Sequence, residues 1–369
     1  MRKFGMIVCL SLGIPGLLCS QEMDQIAEQN VFCGWQGKNA SATVDQGFVG
    51  KASYLYWQAK EEGLDFVQSG DIEGGFPAPI TANITLLDPI SEWQSGFQVG
   101  IGYIFPQRSQ WDVLLNWTWF HSNASNSTSL NGPLVATKTL RPTWLPFLMG
   151  PQVLDAAAQW GLKYDTLDLL LGRDFFLGKW LSFHPQAGVR AAHIHQDYQA
   201  TYHGVYDDGM GGSIFLGETS FDANWTYNGM GVRFGTDGEW HINSYFSLVA
   251  NGFLSILYGR YHLQESFQGG FPVGNPTPLR EIINLNQHYY RLRTALETEI
   301  GFRSQTFFNN DKRRVVLGAY YGFSYWLRQN EMVNQFLVFN TTGDVFLTNL
   351  PTSGDLQLQG LRIELEVDF

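Results

Sequence analysis

Gly360-Leu361-Arg362-Ile363-Glu364-Leu365-Glu366-Val367-Asp368-Phe369 alternates without a break between apolar residues and charged or small ones. A β-strand sends successive side chains to opposite faces. Leu361, Ile363, Leu365, Val367 and Phe369 therefore share one face, and Arg362, Glu364, Glu366 and Asp368 the other. An edge strand of a soluble sandwich has this pattern. So has a strand that crosses an outer membrane with its apolar face in lipid and its polar face turned inward.

The other end of the chain favours the membrane reading. Met1 to Ser20 reads as a secretory signal: Arg2 and Lys3 precede an apolar stretch from Phe4 to Leu18, and small Ser20 offers a cleavage site. A lipoprotein signal modified at Cys19 is the rival, disfavoured by bulky Leu18 just before the cysteine. Beyond Ser20 there is no run of about 18 apolar residues, so membrane residence would have to rest on strands. Residues 21–46 lack a sustained period and read as a leader; residues 47–369 read as one β-barrel. Cys33 is the only cysteine that cleavage would leave, so no internal disulfide is available.

The chain carries 23 Lys and Arg against 34 Asp and Glu, a formal net charge of −11. That balance argues against nucleic acid as a partner, because phosphate binding needs clustered basic residues. The aromatic content of 15% and the 40 glycines suit aromatic girdles and tight turns, and also suit a secreted sandwich.

Ten segments read as strands: Phe48 to Ala59, Trp93 to Phe105, Trp111 to His121, Ala156 to Arg173, Trp180 to Gln199, Asn224 to Thr236, Trp240 to His262, Gln287 to Arg303, Arg314 to Arg328, and Leu356 to Phe369. The connections alternate between short and long. Pro106 to Gln110, Asp174 to Lys179, Asp237 to Glu239 and Ser304 to Arg313 are short. Lys60 to Glu92, Asn123 to Asp155, Ala200 to Ala223, Leu263 to Asn286 and Gln329 to Asp355 are long. This is the pattern of an antiparallel up-and-down transmembrane barrel with short periplasmic turns and long extracellular loops. Several strands exceed the roughly 9 to 11 residues a tilted crossing requires, so they should project beyond the bilayer on the loop side. A hairpin near Leu64 to Gly70 would raise the count to twelve, the second choice after ten.

The faces can be assigned strand by strand. Gln287 to Arg303 puts Leu292, Leu296, Ile300 and Phe302 on one side and Arg291, Arg293, Glu297, Glu299 and Arg303 on the other. An arginine facing lipid near the midplane costs about 2 to 4 kcal/mol, so the charged side should face the lumen. By the same argument Arg190, Arg233, Arg362, Glu364 and Glu366 face inward, with small or polar neighbours such as Gly188, Gly231, Asn243, Ser247 and Asn251. These ten charged residues form the candidate pore lining. They either keep the interior wet or pair across it and close it. In Ala156 to Arg173, Lys163 and Asp165 share a face with Leu167, Leu169 and Leu171, and a β-bulge near Asp165 would reconcile them.

Signals for chemistry are weak. His193 and His195 have metal-ligand spacing but continue an apolar face toward the outer rim, so no metal site is expected. There is no Gly-x-Ser-x-Gly elbow and no His-Glu-x-x-His, and neither an enzyme activity nor a cofactor is expected.

Tyr54-Leu55-Tyr56-Trp57-Gln58-Ala59 with Glu62-Gly63-Leu64-Asp65, and Gly96-Phe97-Gln98-Val99-Gly100-Ile101-Gly102-Tyr103, resemble the pore-forming major outer membrane proteins of the Legionella and Chlamydia-related type. So do Asn116-Trp117-Thr118-Trp119-Phe120-His121, Leu171-Gly172-Arg173, Gly188-Val189-Arg190-Ala191-Ala192 and Leu257-Tyr258-Gly259. Leu358-Gln359-Gly360-Leu361 continues the match toward Phe369. The resemblance implies a Gram-negative outer-membrane barrel acting as a porin, with a role in host-surface contact, and a homo-oligomer by analogy. It also implies that Phe369 is an assembly signal read by the barrel-assembly machinery. Cysteine-rich relatives are crosslinked, which Cys33 alone does not support. The expected function is passive diffusion of small hydrophilic solutes or ions, with outer-membrane lipid as surroundings. The alternatives are a closed structural or adhesive barrel and, less favoured, a soluble sandwich.

Overall fold

Ten antiparallel strands close on themselves in the computed structural model, which describes residues 47–73, 81–105, 111–130, 138–145, 152–207, 213–269, 280–308, 313–339 and 345–369. The expected signal peptide, leader and Cys33 lie outside these residues. The barrel strands are β1 (Gly47–Glu61), β2 (Gln94–Ile104), β3 (Trp111–Ser129), β4 (Gln152–Arg173) and β5 (Leu181–Asp207). They continue with β6 (Ser213–His241), β7 (Phe246–Gly269), β8 (Arg280–Phe308), β9 (Arg313–Asn330) and β10 (Gly354–Asp368). Each pairs with its sequence neighbours, and β10 closes the ring on β1 from Val49 opposite Asp368 to Glu61 opposite Leu356. Closure pairs every strand on both edges, which a barrel needs where no water can satisfy a free backbone group.

Alternation fixes the two walls. Ile101, Leu292, Ile300, Phe302, Leu317 and Ile363 are exposed on the outer wall, while Leu55, Ser255, Arg293, Arg362 and Glu366 are buried inside. Phe369 points outward and donates its backbone N–H to the carbonyl of Phe48 at 2.9 Å, next to the seam.

Several expectations need correction. The bulge near Asp165 is absent: β4 pairs without interruption there, with Asp165 opposite Trp119 and His193. No bulge is required, because the outer face passes from the apolar belt at Leu167 into a polar zone at Asp165 and Lys163. The turn expected at Asp237 to Glu239 lies five to six residues later. Gly238 stays in the ladder between Phe183 and Ala250. The real turn follows His241, where the Asn243 side-chain oxygen accepts the backbone N–H groups of Tyr245 and Phe246 at 2.8 Å each, so Asn243 caps a turn and is not lumenal. The long connections Ala200 to Ala223 and Leu263 to Asn286 are largely strand, with Thr201 opposite Ser220 and Phe267 opposite Ile283.

The hairpin anticipated near Leu64 to Gly70 exists but does not join the barrel. Val67–Glu73 and Thr81–Leu87 pair with each other, and Val67–Glu73 also pairs with Lys138–Pro142 in a separate three-stranded sheet. A second hairpin, Val333–Phe339 with Val345–Pro351, stands at the same, loop end. Between these additions and the upper barrel wall lies an apolar core that includes Leu64, Phe66, Leu140, Trp144, Tyr198, Tyr202 and Phe221. Trp144 stacks on Phe221 at 4.8 Å and donates its indole N–H to the carbonyl of Asp65 at 2.9 Å. The Tyr202 hydroxyl donates to the carbonyl of Phe66 at 2.7 Å.

Candidate functional site: a charged lumen

Below that cap the interior changes character. β4, β5, β6 and β8 bring Asp168, Arg190, Arg233 and Glu297 together. The Arg190 Nε and Nη2 groups grip the two Asp168 oxygens at 2.6 Å each, the two-pronged geometry a planar guanidinium favours. Its Nη1 donates to Glu297. Because β6 and β7 separate β5 from β8 around the wall, this contact runs across the lumen. Arg233 Nη1 meets the same carboxylate at 2.5 Å, so Glu297 serves two guanidiniums. Arg233 also lies over the Phe253 ring at 4.2 Å, a cation–π contact.

A second level follows toward the turn end. Arg362 donates Nε and Nη2 to Glu299 at 3.0 and 2.5 Å and Nη1 to Glu364. Arg303 reaches Glu239 at 3.2 Å and the Tyr320 hydroxyl at 3.1 Å, and Tyr320 in turn donates to Glu364 at 3.3 Å. The Tyr320 ring occupies the space above Gly301 and Gly318, where an added Cβ would meet ring atoms at 2.6 and 2.4 Å. Lowest, Arg314 binds Asp368 at 2.6 Å and Glu366 at 2.7 Å, and Lys51 binds Glu366 at 2.8 Å.

Of the candidate lining, the structure brings Arg190, Arg233, Glu297, Glu299, Arg303, Arg362, Glu364 and Glu366 into this chain of ion pairs. Arg293 is buried nearer the loop end and meets Glu331 at 2.6 Å. Arg291 shares that carboxylate at 3.2 Å but is half-exposed at the mouth. Lys51, Asp168, Glu239, Arg314, Asp368 and Tyr320 belong to the network without having been singled out. Alternation alone would have flagged Asp168, which faces away from Leu167 and Leu169.

The ion pairs leave a cavity of about 120 Å³ in the middle of the barrel. Four of its lining residues, Thr166, Asp237, Asn251 and Ser324, each hold a buried oxygen without a hydrogen-bond partner among the described residues. Buried polar atoms are rarely left unsatisfied, and a polar cavity of this size has room for several waters. Among the described residues no group of three or more His, Cys, Asp and Glu is placed to hold a metal ion, and His193 and His195 lie on the outer wall.

A closed ten-stranded barrel with an apolar outer belt and an ion-paired interior defines an integral outer-membrane β-barrel protein. The chain belongs to a particular family of these: the model of the Legionella pneumophila major outer membrane protein precursor matches residues 43–369. Comparison with curated proteins gave no match. Among solved structures, the outer membrane protease OmpT of Escherichia coli is similar at 9% identity, TM-score 0.33, over 89% of this chain and 97% of the other. A Pseudomonas aeruginosa FadL homologue is similar at 11% identity, TM-score 0.24, over 89% and 91%.

Proposed function

We propose that the barrel passes ions and very small hydrophilic solutes, with the paired charges of its lumen as the narrowest and selective level. The observation that carries this reading is the cavity whose walls present unpaired oxygens among arginines and carboxylates. A barrel that had only to stand in the membrane gains little from such an interior, since buried ion pairs are often no more stable than apolar packing of the same volume. Water and paired charge give instead a path along which an ion trades partners step by step.

Planar-bilayer recording of the refolded protein tests this. Small stepwise conductance is expected, and its absence at any voltage sinks the proposal. Glu297→Gln would leave Arg190 and Arg233 short of a carboxylate and shift the reversal potential toward anion preference; an unchanged potential would take these residues out of the path.

A second reading, a closed structural or adhesive barrel, is favoured by the aromatic core packed between the loop-end hairpins and the upper barrel wall. Residues 130–151, between β3 and β4, are the segment to delete. Host-cell attachment lost without a change in conductance would support adhesion, and attachment retained would count against it.

A further inference from the structure

The outer wall is not uniformly apolar. β4 to β7 carry two consecutive outward rows in register. The row nearer the turn end is Leu167, Ala191, Met230 and Tyr258; the next toward the loops is Asp165, His193, Asn228 and Arg260. Within one pleat repeat the surface changes from hydrocarbon to hydrogen-bonding groups. A groove of about 550 Å³ follows the junction. Its floor dips where small Ala191 stands between Leu167 and Met230. Trp117 bounds one side, and Tyr258 stacked on Tyr290 at 5.6 Å bounds the other.

Arg260, at the polar edge of the groove, is a cation with no carboxylate partner among the described residues. Its guanidinium meets His288 Nδ1 at 3.3 Å, and among the described residues no carboxylate lies within 4.0 Å of it. The arginines of the lumen are paired with carboxylates, so this one stands apart. The next row toward the loops adds Lys163, His195 and His262, against the lone acid Asp165. The result is an apolar trough beneath a basic edge, on a wall that faces lipid.

We propose that this groove holds an anionic lipid of the outer leaflet whose phosphate carries net negative charge, one acyl chain along Leu167, Ala191 and Met230 and that phosphate against Arg260. In outer-membrane barrels the long loops lie outside, which places the polar edge at the headgroups of the outer leaflet. A zwitterionic lipid would answer the apolar floor but compensate Arg260 poorly. A free anion would answer Arg260 and leave the floor unused.

The test uses the refolded full-length chain in phosphatidylcholine vesicles containing bromine-labelled phosphatidate or, in parallel, bromine-labelled phosphatidylcholine. Quenching of Trp117 is read as the difference between the protein and its Trp117→Phe variant. Phosphatidate should be preferred about fivefold, the weight of one basic residue at an anionic headgroup. Arg260→Lys should keep most of the preference and Arg260→Gln should erase it. Met230→Phe, which fills the floor, should weaken quenching by both lipids. All these positions face outward, so heat-modifiable migration of the folded barrel serves as the control for folding. Equal quenching by the two lipids overturns the proposal, as does a preference that survives Arg260→Gln. Displacement of labelled phosphatidate by millimolar inorganic phosphate also overturns it, because the site would then bind free anions.

Discussion

The middle of the lumen and its loop end are walled by the same strands and filled in opposite ways. At the level of Glu297 and Arg362 the space is occupied by guanidiniums and carboxylates; one span further, Phe66, Trp144, Tyr198, Tyr202 and Phe221 pack as they would in a soluble core. Strand geometry does not impose the difference, since inward positions alternate identically in both regions. It is set by which residues the inward positions carry, and by loop segments that return to cover only one of them. The middle depends on charge balance and the cap on shape, so the two should fail differently.

The largest effect is expected in the middle. Glu297→Leu removes the carboxylate shared by Arg190 and Arg233, and breaking a buried pair in this way costs about 3 to 5 kcal/mol. The urea midpoint of the refolded barrel, followed by heat-modifiable migration, should fall accordingly. If it does not move, the lumenal pairs contribute nothing net. Trp144→Ala deletes a comparably large contact, but in the cap. Hydrogen exchange should show faster opening of Val67–Glu73 and Lys138–Pro142 while the barrel midpoint stays put; a drop in both would mean that cap and barrel unfold as one unit.

A pH effect comes next. Glu265 stands on β7 seven residues beyond Tyr258, the end of the apolar outer face on that strand, and its carboxylate accepts the Val333 N–H at 2.7 Å. Burial pushes it up from the ordinary 4.5 to about 8, the Val333 hydrogen bond offsetting only part of that. A carboxyl group raised on folding stabilises fully below its unfolded value, and that contribution is lost as pH rises through its folded one. Docking of the Val333–Phe339 hairpin should therefore loosen between pH 5 and about 8. Glu265→Gln should flatten the dependence, and limited proteolysis across that range decides. The smallest effect is Tyr202→Phe, which loses one hydrogen bond to the Phe66 carbonyl, about 1 kcal/mol confined to the cap.

Ten strands, the two walls and eight of the ten lumen candidates in the ion-pair network were legible because period-two alternation is a local property of the chain. Where sequence reading failed, the cause was tertiary. Asp237-Gly238-Glu239 has turn composition, yet its neighbours on β5 and β7 hold it in the ladder. Lys163 and Asp165 looked like a register fault because the outer face was assumed to be apolar along its whole length. The pairing of Arg190 with Glu297 has no local signal, since it depends on how far the ring curves between β5 and β8. The sheet joining Val67–Glu73 to Lys138–Pro142 links two loops far apart in sequence, and neither composition announces the other.

The seam between β1 and β10 also bears on how the barrel assembles. Gln359 donates to Gln58 at 3.2 Å across a sequence separation of 301 residues, and Lys51 meets Glu366 on the same pair of strands. A contact of such high order is entropically the last to form, so every earlier intermediate keeps two unpaired edges. Such edges recruit other chains, which makes closure the step at which aggregation competes most strongly with folding.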